Sequence, residues 1–345
     1  MDKRQLRTPA GEVSVSGATL VDVAKLAGVS PITVSRALNQ PHLVRPNTVA
    51  KVQAAVQQTG YVKNMMAGAL ASSRSRLVSL VLPTISTPIF ADMVEAASDS
   101  LTRNGYQVVL GLSSYEAWRE EVLVETILSR RPDGVILTGT LHTDSTRRRL
   151  QAARIPVVET WDMTPSPIDM MIGFSHEEVG HAIALHLLER GYRRIAILAV
   201  EDPRAARRNQ GLQAGLAKQG VEVAAVQIMP LPSTFQLGRE GITRLLERCP
   251  DIDVVVCSSD TLAHGVLTEA ISRGMRVPQQ LAVLGFGDLS FAAHTWPPLS
   301  TVRVDGANIG RLAAQAIVER VEGNGGASGA RLIDTGFELI QRGST

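Results

Sequence analysis

The sequence predicts an α/β protein in three parts: a small helix-turn-helix head, a short connecting segment, and a larger body of two α/β subdomains. Three observations carry this. Between residues 19 and 60, apolar residues recur at helical spacing, bounded by capping residues. After Ser75, runs rich in Val, Ile and Leu alternate with helical stretches, the mark of βα units and a parallel sheet. About ten such runs occur, more than one open sheet holds comfortably, so two subdomains are expected.

The elements follow in order. Residues 1–17 are polar and aperiodic and read as a flexible leader. Thr19 can cap a first helix with Asp22 at its third position, and Gly28 stops it. Ser30 caps the next helix, with Pro31 at the first helical position, where its missing amide costs nothing. That helix buries Val34, Ala37 and Leu38 and runs to about Asn39. A third, from about Pro46 to Gln58, buries Val49, Val52 and Val56; Gly60 ends it and Tyr61 folds back. Residues 18–63 thus form the head, and 64–76 connect it to the body, a segment that the resemblance given below makes a hinge helix and linker. Strands are expected at 77–82, 107–112, 134–138, 156–159, 170–173, 195–199, 224–228, 253–257, 281–286 and 300–303. Helices include 89–104, 175–190, 205–218, 236–248 and 260–273. A Gly-rich loop at 323–330 precedes a last strand near 331–338. The body, 77–345, divides into lobes of about 77–172 and 173–300, with the chain crossing between them near 300–310.

Charge is unevenly placed. Residues 1–76 hold ten Lys/Arg against three Asp/Glu, a net +7 within a chain of net +2, so the body carries −5. A basic head on an acidic body suggests a polyanionic partner for the head, though a solvated basic tail would show the same charge. Aromatics are only 4%, too few for a stacking wall for single strands. Cys249 and Cys257 have neither disulfide-framework nor metal spacing. His176 and His181 are one residue too far apart for a His-Glu-x-x-His zinc helix, and Gly285-Phe-Gly-Asp288 lacks the third glycine of a dinucleotide fingerprint. No nucleophile elbow or P-loop occurs, so no catalytic set, metal or cofactor is expected. No apolar run reaches membrane-spanning length and no secretory leader is visible, which predicts a cytoplasmic protein.

These residues also match a family. The run Thr19-Leu-Val-Asp-Val-Ala-Lys-Leu-Ala-Gly-Val-Ser30 with Thr33-Val-Ser-Arg-Ala-Leu-Asn39 resembles the DNA-binding head of the lactose-repressor (LacI/GalR) family. Ala67-Gly-Ala-Leu-Ala-Ser72 looks like that family's hinge helix. Leu82-Pro83, Asp133-Gly134, Ile155-Pro156, Gly191-Tyr192, Ser259-Asp260 and Leu284-Gly285-Phe286 fall where its periplasmic-binding-protein-like bodies carry similar runs. Within the family, Leu137-Thr138 with His142-Thr143, Pro156-Val-Val-Glu159 and Val283-Leu-Gly-Phe-Gly-Asp288 look most like gluconate and ketogluconate repressors. Arg45 stands where a serine usually caps the third helix, Ser259 replaces a common Asn, and Gly287 replaces a common Asp.

The resemblance implies a homodimeric repressor with two sites. On operator duplex, Pro31 and Ile32 would offer apolar contacts to base edges, Arg36 would pair with guanine or phosphate, and Thr19, Ser30, Ser35 and Asn39 would serve phosphates or simply cap helices. Asn64, Ala67 and Leu70 would lie in the minor groove, with Leu70 a wedge between base steps. The effector cleft would draw Ile85, Ser86, Phe90 and Trp161 from one side. Ser175, Arg208, Ser259, Asp260, Gly287 and Asp288 would come from the other. Arg208, three residues before Gly211, would fork onto a carboxylate, unless it is a surface ion pair among Arg204, Arg207 and Arg208. A sugar acid is the effector this predicts. A sugar-binding protein or sugar-modifying enzyme without DNA-dependent regulation is the alternative, against which the basic head argues.

Overall fold

A computed structural model describes residues 17–62, 74–323 and 331–345. The chain forms two compact units, Met1–Ser73 and Arg74–Thr345. The expected leader, the hinge positions Asn64, Ala67 and Leu70, and most of the Gly-rich loop lie outside the described residues.

In the first unit, α1 (Leu20–Ala27) opens on a reciprocal cap. The Asp22 amide donates to Thr19 Oγ1 at 3.3 Å while the Asp22 carboxylate accepts from the Thr19 amide at 2.9 Å. Gly28 at φ 67 ends the helix in the left-handed region, which costs glycine no Cβ clash. The Ser30 hydroxyl caps α2 (Pro31–Asn39), accepting from the Thr33 amide at 3.2 Å. α3 (Pro46–Thr59) starts on Pro46 with no side-chain cap, because Arg45 has no hydroxyl or carboxylate to offer. Val23, Val34 and Val52 are wholly buried at the centre, with Ala24, Ala37 and Ala55 letting the helices approach and Tyr61 packed alongside.

The second unit has two lobes. The first is a six-stranded parallel sheet of β1 (Leu77–Leu82), β2 (Gln107–Leu112), β3 (Gly134–Thr138), β4 (Val157–Thr160), β5 (Met170–Gly173) and β11 (Leu332–Asp334), in the order β11-β5-β4-β3-β1-β2. Its helices are α4 (Ala91–Arg103), α5 (Ala117–Ser129), α6 (Asp144–Ala153) and α11 (Gly306–Glu322). The second lobe holds β6 (Ile195–Val200), β7 (Ala225–Met229), β8 (Val254–Cys257) and β9 (Ala282–Leu284) in the parallel order β7-β6-β8-β9. Around it lie α7 (His176–Glu189), α8 (Pro203–Ala217), α9 (Phe235–Arg248) and α10 (Asp260–Ser272). β10 (Thr301–Arg303) pairs antiparallel with β12 (Glu338–Ile340) and bridges to the β9 side through Leu284–Ser300 and Gly287–Arg303. Strands buried on both faces explain the unbroken apolar runs of the sequence.

Two expectations change. The strand expected over 281–286 pairs only as Ala282–Leu284, since the Gly285 and Gly287 amides donate to Ser300 and Val302 instead. The single strand expected near 331–338 is two short ones in different lobes. Thr335 donates to the Gly173 carbonyl from both its amide and its hydroxyl, and Gly336 turns at φ 66. The chain therefore passes between lobes after β5, before α11 and again at 335–337. Among the described residues, no helix is long and apolar enough to cross a membrane.

Candidate functional sites

Strand order sets where a cleft forms. In the first lobe the order reverses between β1 and β3, and in the second between β6 and β8. Crevices of open α/β sheets lie at the carboxyl ends of strands flanking such reversals. The loops after these four strands carry Phe90, Gly139 to His142, Asp202 to Arg208, and Ser258 with Ser259. All but Gly139 to His142 meet at a cavity of about 60 Å³, room for a few waters at the 10–15 Å³ each needs.

Its walls are aromatic on the first-lobe side and charged on the other. Phe90 and Trp161 meet edge to face with ring centroids 5.3 Å apart, and Trp161 meets Phe174 at 6.0 Å. Trp161 donates its indole N–H to Met93 Sδ at 2.8 Å and is almost wholly buried. Trp161 and Tyr115 both hold positive φ, 62 and 61, a strained conformation for bulky residues that clusters at binding sites.

Arg208 is the charged centre. It is 8% exposed, and its guanidinium stacks 3.7 Å from the Phe286 ring centroid. Nη2 donates to the Ser258 carbonyl at 2.9 Å and Nη1 lies 3.0 Å from His176 Nδ1. A guanidinium only donates, so Nδ1 accepts. His176 Nε2 then carries the proton and donates to the Trp161 carbonyl at 2.9 Å. Burial and the charge of Arg208 push the His176 pKa well below its ordinary value, which agrees with a neutral ring. Burial also lowers Arg208 to about 10, still protonated at neutral pH. The neighbouring arginines are taken: Arg204 pairs with Asp202 at 3.0 Å and Arg207 with Asp162 at 2.6 Å. No carboxylate touches Arg208 among the described residues. A buried cation without a counter-ion beside a cavity is an anion-binding arrangement, because burying an unpaired charge is costly.

Close helix packing places it. A Cβ on Gly211 would come within 2.1 Å of the Glu177 carbonyl oxygen, and one on Gly180 within 2.1 Å of the Arg208 carbonyl oxygen. These two glycines bring α7 and α8 together and so set His176 beside Arg208.

Of the expected cleft residues, Phe90, Trp161, Arg208 and Ser259 line this cavity. The others do not. Ile85 and Ser86 lie on the exposed loop before Phe90. The Ser175 hydroxyl caps α7 through the Glu178 amide. Asp260 is buried under the cavity floor, accepting from Thr301 Oγ1 at 2.5 Å and the Leu289 amide at 2.7 Å, so its lone pairs serve the fold. Asp288 is held by Arg303 and Arg342, both at 2.7 Å. Gly287 takes φ 129 and bridges to Arg303. Asp260 and Asp288, both expected in the cleft, thus already hold internal partners. Sequence reasoning missed His176, Tyr115, Asp202 and Ser258. Only His176 carries a sequence signal, as part of a polar helix start whose spacing to His181 is one residue too long for a zinc motif.

On the head, Pro31 is exposed and Ile32 is 72% exposed, so Ile32 is no core residue. Arg36 is exposed on the same helix and makes no hydrogen bond or ion pair among the described residues. Ser35 accepts from Asn39 Nδ2 at 3.2 Å, while Thr19 and Ser30 are occupied as caps. The start of α2 thus presents an apolar tip followed by a cation, a surface suited to a major groove.

Comparison with known proteins agrees with this geometry. Residues 19–64 match the model of bacterial regulatory proteins, lacI family, and residues 184–345 that of a periplasmic binding protein-like domain. The chain is 39% identical over 329 residues to the HTH-type transcriptional regulator GntR of Pseudomonas aeruginosa, covering 95% of each. A LacI family transcriptional regulator from Silicibacter pomeroyi superposes with a TM-score of 0.88 at 35% identity, over 94% of this chain and 98% of that one. The lac repressor dimer bound to operator and the anti-inducer ONPF superposes with a TM-score of 0.80 at 25% identity, over 95% and 99%.

Proposed function

The chain belongs to the lacI family of bacterial regulatory proteins, and from that premise we propose that this DNA-binding transcriptional repressor is controlled by a sugar acid held on Arg208. Gluconate and 2-ketogluconate are the effectors of choice. The observation that carries this is a buried guanidinium with no carboxylate partner, aimed into a cavity walled by Phe90 and Trp161. A carboxylate can take its two-point fork. On the loop after β9, position 287 is a glycine, and the neighbouring acid Asp288 is paired with Arg303 and Arg342.

A homodimer in the cytoplasm would place two heads on a palindromic operator, with Pro31, Ile32, Ser35 and Arg36 at the bases and Asn39 nearer phosphates. Asn64, Ala67 and Leu70 enter as the hinge expected from the sequence, paired across the dimer in the minor groove. Effector in the cleft biases closure of the lobes, which alters how the two hinges meet. Effector and operator then change each other's affinity by one factor, as linkage requires.

Calorimetry tests the carboxylate contact. Gluconate should bind the parent and lose about 2–5 kcal/mol on Arg208→Ala, the range for truncating one side of a buried charge pair. Operator affinity without effector should hold. Tighter binding of a neutral hexose than of gluconate, or an unchanged gluconate affinity in the variant, would sink the reading.

A further inference from the structure

The cleft has a second compartment. A cavity of about 270 Å³ is bounded by Glu120, Thr138, Thr140 and Asp162, and by the Asp202–Arg204 pair. Tyr115 and that same pair also border the Arg208 cavity, so the two spaces share a wall. Most polar groups here are committed. Asp162 accepts from Arg207, from the Thr140 hydroxyl and from the Met163 amide, and Asp202 is held by Arg204.

Two groups are not. Thr138 Oγ1 is buried with no hydrogen-bond partner among the described residues. Glu120, its side chain 11% exposed, has Oε1 bound by His142 Nδ1 at 2.6 Å, and its other oxygen has no partner among the described residues. His142 is locked in turn, with Nε2 3.1 Å from the Gly139 carbonyl and 3.4 Å from Glu159 Oε1. That ring holds Glu120 in place at the cavity wall. Buried polar groups are nearly always satisfied, and leaving one unmade costs more than a typical bond returns.

We infer that this second compartment reads the hydroxyls at the end of the effector remote from its carboxylate, with Glu120 and Thr138 as the reading groups and His142 as a positioning residue. The inference rests on the sugar-acid reading of the Arg208 cavity. A carboxylate only accepts, so it selects hydroxyl donors. Glu116, Glu120, Asp162 and Asp202 face the space against Arg204, so a second carboxylate would meet like charge. The ligand class is therefore a polyhydroxy monocarboxylic acid of about six carbons, not a dicarboxylic acid of the same length.

Calorimetry on the full chain with gluconate, glucarate and glycerate tests this. The parent should bind gluconate at least about ten-fold more tightly than glucarate, since each charged hydrogen bond contributes roughly that factor. Glu120→Gln should weaken gluconate about ten-fold, strengthen glucarate, and leave glycerate, too short to cross the wall, unchanged. Thr138→Val is nearly isosteric and removes a hydroxyl the fold does not use. Its melting temperature should hold or rise while gluconate affinity falls several-fold. His142→Gln should reproduce the loss of discrimination with glycerate affinity intact. Parent-like gluconate binding in both Glu120→Gln and Thr138→Val overturns the second compartment alone. Equal binding of gluconate and glucarate by the parent does the same. Failure of gluconate and glycerate alike to bind the parent overturns the sugar-acid reading, and this inference with it.

Discussion

Arg208 shows what a single residue can and cannot reveal from sequence. The family resemblance at its position before Gly211 marked it as a ligand residue, while three arginines within five positions left an ion pair as the alternative. The fold decides by giving Asp202 to Arg204 and Asp162 to Arg207. The planar fork matters as well as the charge, since it bonds Ser258 and His176 at once. Arg208→Lys should therefore recover only part of the gluconate affinity lost in Arg208→Ala, because an ammonium has no fork and stacks poorly on Phe286. Calorimetry showing full recovery would mean that charge alone suffices. Asp260 and Asp288 teach the reverse. Both stood among the expected cleft residues, yet each is held by partners at least 15 positions away, Thr301, Leu289, Arg303 and Arg342.

Helix ends and crossings carry the next level. The caps of α1 and α2 were legible because Thr19 with Asp22 and Ser30 with Pro31 act within one turn. The α7–α8 crossing was not, because it depends on two glycines 31 positions apart meeting each other's helix backbones. Gly211→Ala tests it. Alanine gains roughly 1 kcal/mol of helix propensity, but a Cβ against a carbonyl oxygen must push the helices apart. The clash should win, destabilising by about 2 kcal/mol and weakening effector binding, since Arg208 and His176 ride on these helices. A variant as stable as the parent in urea unfolding would refute the close approach. The loop between β3 and α6 makes a pH prediction. Burial disfavours the charged His142, but hydrogen bonds to Glu120 and Glu159 outweigh it and raise its pKa from 6.5 to about 9. A raised folded-state pKa contributes stability in full below about 6.5, lost as pH climbs through about 9. The contribution is on the order of 2–4 kcal/mol at 1.36 per unit. The melting temperature should fall from pH 6.5 to 9.5 in the parent, and much less in His142→Gln. Parallel curves would place the ring outside the charge cluster.

For the whole molecule, the uneven charge is the controlling quantity. A head segment of net +7 beside a body segment of −5 confines attraction for DNA to the head. If the head neutralises about six phosphates, operator affinity should fall with a log–log salt slope near −5. A gel-shift titration flat in salt would remove the electrostatic part of the binding.

The order of elements, the caps of the first two helices, the two parallel sheets, the exposed apolar tip of α2 and the candidacy of Arg208 were legible in the amino-acid order. Each depends on residues within a few positions, on period, or on a run of matching residues. Folding in three dimensions settles which arginine has no carboxylate in contact, that His176 accepts from it as a neutral ring, that Asp260 and Asp288 hold internal partners, and that the last strand is two. Those outcomes turn on partners tens of positions apart, where pairing follows from which groups the folded chain brings together in a dry interior. In that interior a buried charge must find a counter-charge or face a cavity, and neither local spacing nor composition says which.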